Sequence, residues 1–226
     1  MSNKLRLLFS LPKTIYFNFF YLPFNQAIKL PIWLYNVNLH KMRGQVIIDS
    51  ASIKPGMIKL GNVGNPLYDS CNRLTWENRG VVCFKGTCVI GHGSGISTGI
   101  NGYIEIGNNF FAITTTKIIS FVSIIFGDNV RVSWETIFMD TDFHETINLN
   151  TNERSIPSKP IKIGNNNWIA VRVIVLKGSE TPDFTIVGAN SILTKSYDIP
   201  QYSIIAGVPP KVMKTGVYRD LNSNVK

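Results

Sequence analysis

From Phe84 onward, apolar residues return at every sixth position along much of the chain. Counted from Ile163, the series is Ile163, Ile169, Val175, Thr181, Val187 and Leu193, aliphatic at five of six places. Counted from Ile106, it is Ile106, Ala112, Ile118, Ile124, Val130 and Thr136, again five of six. A shorter series holds Phe84, Ile90 and Ile96. Hydrophobic residues make up 44% of the chain, too few for two such runs to be accidents. A period of six fits neither a helix nor a simply alternating strand. It fits a flat-sided coil in which each side is a short strand that points an aliphatic side chain inward and then turns.

The turns have their own signature. Gly often follows the inward residue, as in Ile90-Gly91, Ile106-Gly107, Phe126-Gly127, Ile163-Gly164 and Val187-Gly188. Asn follows in Asn108-Asn109, Asp128-Asn129 and Asn165-Asn166, and Gly and Asn are the residues that accept positive φ. Three sides make a coil, and stacked coils bury a continuous aliphatic core. One irregularity stands out: Ile106-Gly107 and Phe126-Gly127 are twenty apart, not eighteen. Either two residues are inserted, or the inward register is wrong for part of the run.

Residues 139–160 carry no hexad, and the two runs are out of phase across them. A coil is interrupted there by a loop, and loops that leave a rigid scaffold often carry function. The expected organisation is an all-β fold in three zones. Residues 1–43 form an N-terminal extension with one or two short helices, packing on the domain. Residues 44–196 form the β-helix with its loop 139–160. Residues 197–226 form a Pro-punctuated tail with a short terminal helix.

The chain has 226 residues, enough for one core-bearing domain with a small appendage. Its net charge of +9 suits an anionic partner: nucleic acid, a membrane surface or a phosphorylated small molecule. The Lys and Arg residues are scattered, with no Arg-rich helix, zinc finger or aromatic RNA-binding signature, which argues against nucleic acid. Cys71, Cys83 and Cys88 are odd in number and include no Cys-x-x-Cys pair, so neither a disulfide framework nor a zinc site is indicated. A reducing cytoplasm is the simplest location, with Cys83 and Cys88 as buried structural thiols. No apolar run approaches the ~20 residues that span a bilayer. The aromatic stretch 14–24 either associates peripherally with a membrane surface or packs against its own domain.

Four stretches resemble one family. They are Ile163-Gly164-Asn165-Asn166-Asn167-Trp168-Ile169, then Val187-Gly188-Ala189-Asn190-Ser191-Ile192-Leu193-Thr194-Lys195, then Ala206-Gly207-Val208-Pro209-Pro210-Lys211-Val212, and the loop stretch Asp140-Thr141-Asp142-Phe143-His144. Together they resemble the hexapeptide-repeat acyltransferases, in particular the sugar and capsular-polysaccharide O-acetyltransferases, over about residues 81–214. The resemblance implies a left-handed parallel β-helix and a homotrimer, with acetyl-CoA and a sugar acceptor meeting between subunits. Handedness comes from the resemblance alone, because parallel crossovers are otherwise nearly always right-handed.

Acyl transfer to a hydroxyl needs a base, and His is suited because its pKa lies near the working pH. The resemblance places that base in the interrupting loop, at His144. His40 lies outside the coils, and His92, after a corner Gly, reads as a surface residue. Asp140 and Asp142 flank the base. One of them orients the imidazole or holds sugar hydroxyls, or both merely satisfy loop amides. Some family members hold the His with an Asn on an earlier coil, where this chain has Ile113. The implied acetyl-CoA contacts are Trp168, Ala170 and Ala189 along the pantetheine arm, with Thr194, Lys195, Lys211 and Lys214 toward the phosphates. Trp134 and Arg154 are candidates for the acceptor sugar by residue type and place.

Transfer to the amine of an amino sugar or nucleotide sugar is the alternative chemistry. A β-helix metal lyase would need three His ligands, and the three His here occupy unrelated settings, so no metal is expected. A non-catalytic scaffold would not explain the loop His together with the terminal Lys residues.

Overall fold

The computed structural model describes residues 3–62 and 72–220. Cys71 and the last six residues lie outside the described part. The chain begins with helix α1 (Asn3–Tyr21) and a short helix α2 (Phe24–Ala27). Every described element after Ala27 is a strand.

Among the described residues the strands form three sheets of nine, seven and six members, and neighbours are three strands apart in sequence except at the C-terminal end of the nine-stranded sheet, where the hairpin strands are added. All pairings are parallel except the last, Ser203–Gly207 with Pro210–Thr215. This is a three-sided coil wound along one axis, as the hexads predict. All twelve residues of the two six-membered series are buried. One inward column runs Leu34, Leu60, Ile90, Ala112, Val132, Ile169, Val187 and Ile205 through the largest sheet. The corners use Asn as expected: Asn109, Asn129 and Asn166 have φ of 57°, 59° and 58° and are linked by side-chain hydrogen bonds of 2.8 and 3.1 Å. Gly91 needs its missing Cβ, which would fall 1.5 Å from the Ile113 carbonyl oxygen of the next coil.

The twenty-residue step is real, and it also changes the register. Ile106 pairs with Phe126 and Ile118 with Phe138, whereas the later coils repeat at eighteen, as in Ile169 with Val187. The two extra residues lie at the corner between the strands Lys117–Ser120 and Ser123–Phe126. Beyond them the in-register positions are Val132 and Phe138, aligned with Ile169 and Val175, and not Val130 and Thr136. Those two are buried as well, at the corners.

Both ends of the β-helix extend further than the hexads indicate. Strands begin at Ile32, inside the segment expected to be an extension, and continue to Thr215, inside the expected tail. The tail folds as an antiparallel hairpin and holds no helix among the described residues. The first coils are long and irregular: Leu34 pairs with Leu60 and Leu60 with Ile90, so no constant spacing marks them.

The helix α1 covers the open end of the stack. An edge strand exposes unpaired N–H and C=O groups, and α1 satisfies those of Ile32–Leu34 with polar side chains one turn apart. Asn18 accepts from Ile32 N–H at 3.1 Å and donates to the Ile32 carbonyl at 2.7 Å. Thr14 Oγ1 accepts from Leu34 N–H at 3.1 Å. Phe17 packs edge-on to the buried Trp76 at 5.2 Å between centroids.

Candidate active site

The interrupting loop leaves after the strand Ile137–Met139 and returns at Ile161–Ile163, without disturbing the stack, since Phe126 pairs with Ile163 across it. It is pinned by antiparallel bridges at Thr141 with Ser158 and Ile147 with Arg154. At its base, Asp140 is fully buried. Its carboxylate accepts hydrogen bonds from the N–H of Phe121 at 2.7 Å, the N–H of Val122 at 3.0 Å and Ser120 Oγ at 2.8 Å. The two N–H groups belong to Phe121 and Val122, the residues at the corner where the insertion falls. Asp140 is thus occupied by the corner and does not orient His144; of the three roles open to it, satisfying amides is the one seen.

Asp142 is engaged too. Its carboxylate pairs with Lys177 at 2.5 Å, and Lys177 also donates to the Ile156 carbonyl at 2.6 Å. Arg154 is ion-paired with Glu145 at 3.0 Å. Phe143 has φ of 62°, the left-handed conformation that branched and bulky residues rarely adopt, and its ring packs edge-on to Phe121 at 5.1 Å. This turn carries the next residue, His144, into solvent. Among the described residues none hydrogen-bonds its ring. Ile113, half-buried on the earlier coil, offers no polar side-chain group.

Phe143 and Phe121 also line a groove of about 460 Å³ with Glu77, Arg79, Ser97 and Ile119. Arg79 and Glu77 are paired at 2.9 Å, and Ser97 Oγ donates to Glu77 at 3.3 Å. The groove therefore has an apolar wall beside the His144 loop and a charged, hydrogen-bonding wall opposite. Apart from Phe143, which lies in the loop stretch beside His144, none of these residues stands out in the sequence. They come from the interrupting loop and from three successive strands of the seven-stranded sheet, with the corners that follow them, and only the stacking brings them together.

The remaining candidates lie toward the C-terminal end. Trp168, Ile186, Ile204 and Lys214 occupy one cross-strand row. Three strand spacings separate Trp168 from Lys214, about 14 Å. Ala170 donates its N–H to the Val187 carbonyl at 2.9 Å, and Ala189 is exposed at the next corner. Thr194 and Lys195 are exposed. Lys195 sits over the Tyr197 ring at 5.9 Å and lines a groove of about 330 Å³ against Pro210 and Val212 of the hairpin. Lys211 is exposed on that hairpin, opposite Ala206. Trp134 is half-buried at a corner, where its carbonyl accepts from Arg172 N–H at 3.1 Å. It belongs to the coil face, whereas Arg154 belongs to the loop.

Two arginines join this group unannounced by any motif. Arg219 lies over the Trp168 ring at 5.3 Å, and Arg131 is the in-register neighbour of Trp168. Burial holds the pKa of both guanidinium groups below the usual value, and the charge of Arg219 adds to the effect on Arg131. The Arg131 guanidinium also donates to the Asn109 carbonyl and, at 3.1 Å, to Asn109 Oδ1.

His92, expected at the surface, is fully buried. Its corner is folded inward: its N–H donates to the Asn62 carbonyl at 3.0 Å, and its own carbonyl accepts from Thr115 N–H and Thr114 Oγ1. Cys83 and Cys88 are buried and unpaired, as expected, and no metal-binding cluster of His, Cys, Asp or Glu occurs among the described residues.

No family model matches the chain. It is 34% identical over 111 residues to the galactoside O-acetyltransferase of Escherichia coli (strain K12), a match covering 49% of this chain and 53% of that protein. The chain thus spans about half the length of that relative. It is 27% identical over 159 residues to WbbJ of the same organism, named for lipopolysaccharide biosynthesis O-acetyl transfer, covering 65% of this chain and 80% of that one. The solved structure of the polySia-specific acetyltransferase NeuO superposes over 86% of this chain and 92% of its own, at 19% identity and a TM-score of 0.52. These likenesses agree with the family resemblance carried by the four sequence stretches, and the fold is the left-handed parallel β-helix.

Proposed function

We propose that this chain, with the fold and sequence marks of the hexapeptide-repeat acetyltransferases, moves an acetyl group from acetyl-CoA to a hydroxyl of a sugar or polysaccharide precursor. The observation that carries the reading is His144: in a loop whose acidic residues are otherwise engaged, it is presented to solvent by a left-handed turn and left unbonded. Its imidazole takes the hydroxyl proton as the oxygen attacks the thioester carbonyl carbon. The tetrahedral intermediate collapses with breakage of the C–S bond, and the imidazolium returns the proton to the departing thiolate. No acyl-enzyme is needed, since Cys83 and Cys88 are buried with thiol pKa raised chiefly by desolvation.

The groove beside Phe143 suits the acceptor: sugars stack on aromatic rings, and the pair Glu77 and Arg79 can exchange hydrogen bonds with hydroxyls. Trp168, Ala170 and Ala189 would line the pantetheine arm. Thr194, Lys195, Lys211 and Lys214, joined by Arg131 and Arg219, would face the phosphates. With Asp140 and Asp142 engaged, the group that orients His144 comes from a neighbouring subunit, which fits a cytoplasmic homotrimer with sites between protomers.

Acetyl-CoA consumption measured against a panel of sugars, amino sugars and nucleotide sugars tests this reading. Turnover confined to hydroxyl acceptors is expected. Turnover only with amines would move the assignment to N-acetylation, and none with any member would sink it.

A further inference from the structure

We infer that the exposed side of α1 docks the protein on an anionic lipid surface. This inference is independent of the enzymatic reading. One side of the helix is committed inward through Thr14, Phe17 and Asn18, all fully buried. The other side presents Leu8, Phe9, Tyr16, Phe19 and Phe20 to solvent, with Phe9 71% exposed, and the patch continues into Phe24 at 72%. At 100° per residue, these five helix positions fall within an arc of about 120°. A surface helix normally turns charged and polar residues outward. Here the outward arc is apolar and aromatic along a helix of 19 residues, about 28 Å long.

The charge at this end decides among occupants. Residues 1–48 include Lys4, Arg6, Lys13, Lys29, Lys41 and Arg43, and no Asp or Glu. Six positive charges of the chain's net nine therefore belong to α1, α2 and the first strands beside them. An apolar face on a segment that carries only cations matches the boundary of a bilayer rich in anionic headgroups, where buried apolar area and electrostatic attraction add. A second copy of the chain would bring the same cations face to face, which disfavours self-pairing. No helix among the described residues is long and apolar enough to cross a membrane, so α1 would lie in the interfacial plane.

Flotation of the full chain with vesicles of phosphatidylcholine alone, or mixed with phosphatidylglycerol, tests the inference. Binding to the mixed vesicles is expected, at least about tenfold weaker on the neutral ones and weakened by salt. Phe9→Glu with Phe20→Glu should abolish it while leaving the thermal unfolding curve in place, because both side chains are exposed. Phe9→Ser with Tyr16→Ser is the gentler pair if the first fails to fold. The inference is overturned if the chain floats with neither vesicle, or if wild type and variants float equally. It is also overturned if the variants change the oligomeric state in gel filtration and leave flotation unchanged, since a second copy would then cover this face.

Discussion

Asp140 holds the backbone N–H of Phe121 at 2.7 Å, and through it the loop that carries His144 is tied to the corner that carries the groove wall. The two-residue insertion supplies Phe121, Asp140 satisfies the amides of that corner, and Phe143 then packs on the Phe121 ring. Asp140→Ala removes a buried acceptor of three hydrogen bonds. We expect a loss of about 3 kcal/mol or more in denaturant unfolding, since each buried donor left unsatisfied costs about 1–3 kcal/mol. Asp140→Asn should lose less, as it keeps one acceptor oxygen.

For His144→Ala, turnover should fall on the order of 10²-fold or more with CoA affinity unchanged in titration calorimetry. The side chain is exposed and unbonded, so unfolding should not move. Near-normal turnover would remove His144 from the role of base.

Lys195→Glu and Arg219→Ala separate two parts of the donor site. The first reverses a charge beside the hairpin groove, and the second uncovers the Trp168 ring. Each should weaken CoA by about tenfold or more, as expected when a charged contact worth about 1.4 kcal/mol or more is lost. Dephospho-CoA, which lacks the 3′-phosphate, should be indifferent to whichever residue faces that group. An unchanged CoA isotherm for both variants would place the donor elsewhere.

Asn18→Ala tests the cap on the first strand. It leaves Ile32 N–H and the Ile32 carbonyl without their partner in a buried setting, and should cost about 1–3 kcal/mol. The reporter is hydrogen exchange at Ile32, which should accelerate more than exchange in the later coils.

Cys88 is fully buried, and desolvation raises its thiol pKa far above the ordinary 9.0. The folded state therefore holds this proton where the unfolded chain has released it, so its contribution is intact below pH 9 and is lost as pH rises further. Stability should decline above about pH 9 with a slope approaching 1.4 kcal/mol per pH unit from this group. Cys88→Ala should flatten that limb of the curve. Iodoacetamide should label Cys88 only after unfolding.

The sequence by itself determined the coil, because a side of six residues with one inward position writes its period directly into the order of apolar residues. It also marked the loop, since a segment that leaves the core drops out of the period, and it singled out Asn and Gly at corners, where positive φ restricts the choice. It could not place the irregular first coils, whose strands pair at 26 and 30 residues, or choose between Val130 and Val132 after the insertion, since corner and strand positions there are both apolar. The spacing put His92 at a corner, but whether a corner faces solvent depends on what packs outside it. The tertiary structure alone decided where Asp140 and Asp142 spend their charge, and it brought Arg219 onto Trp168 and Phe121 against Phe143. Such contacts join residues up to 51 positions apart through coil stacking, and no local pattern encodes them.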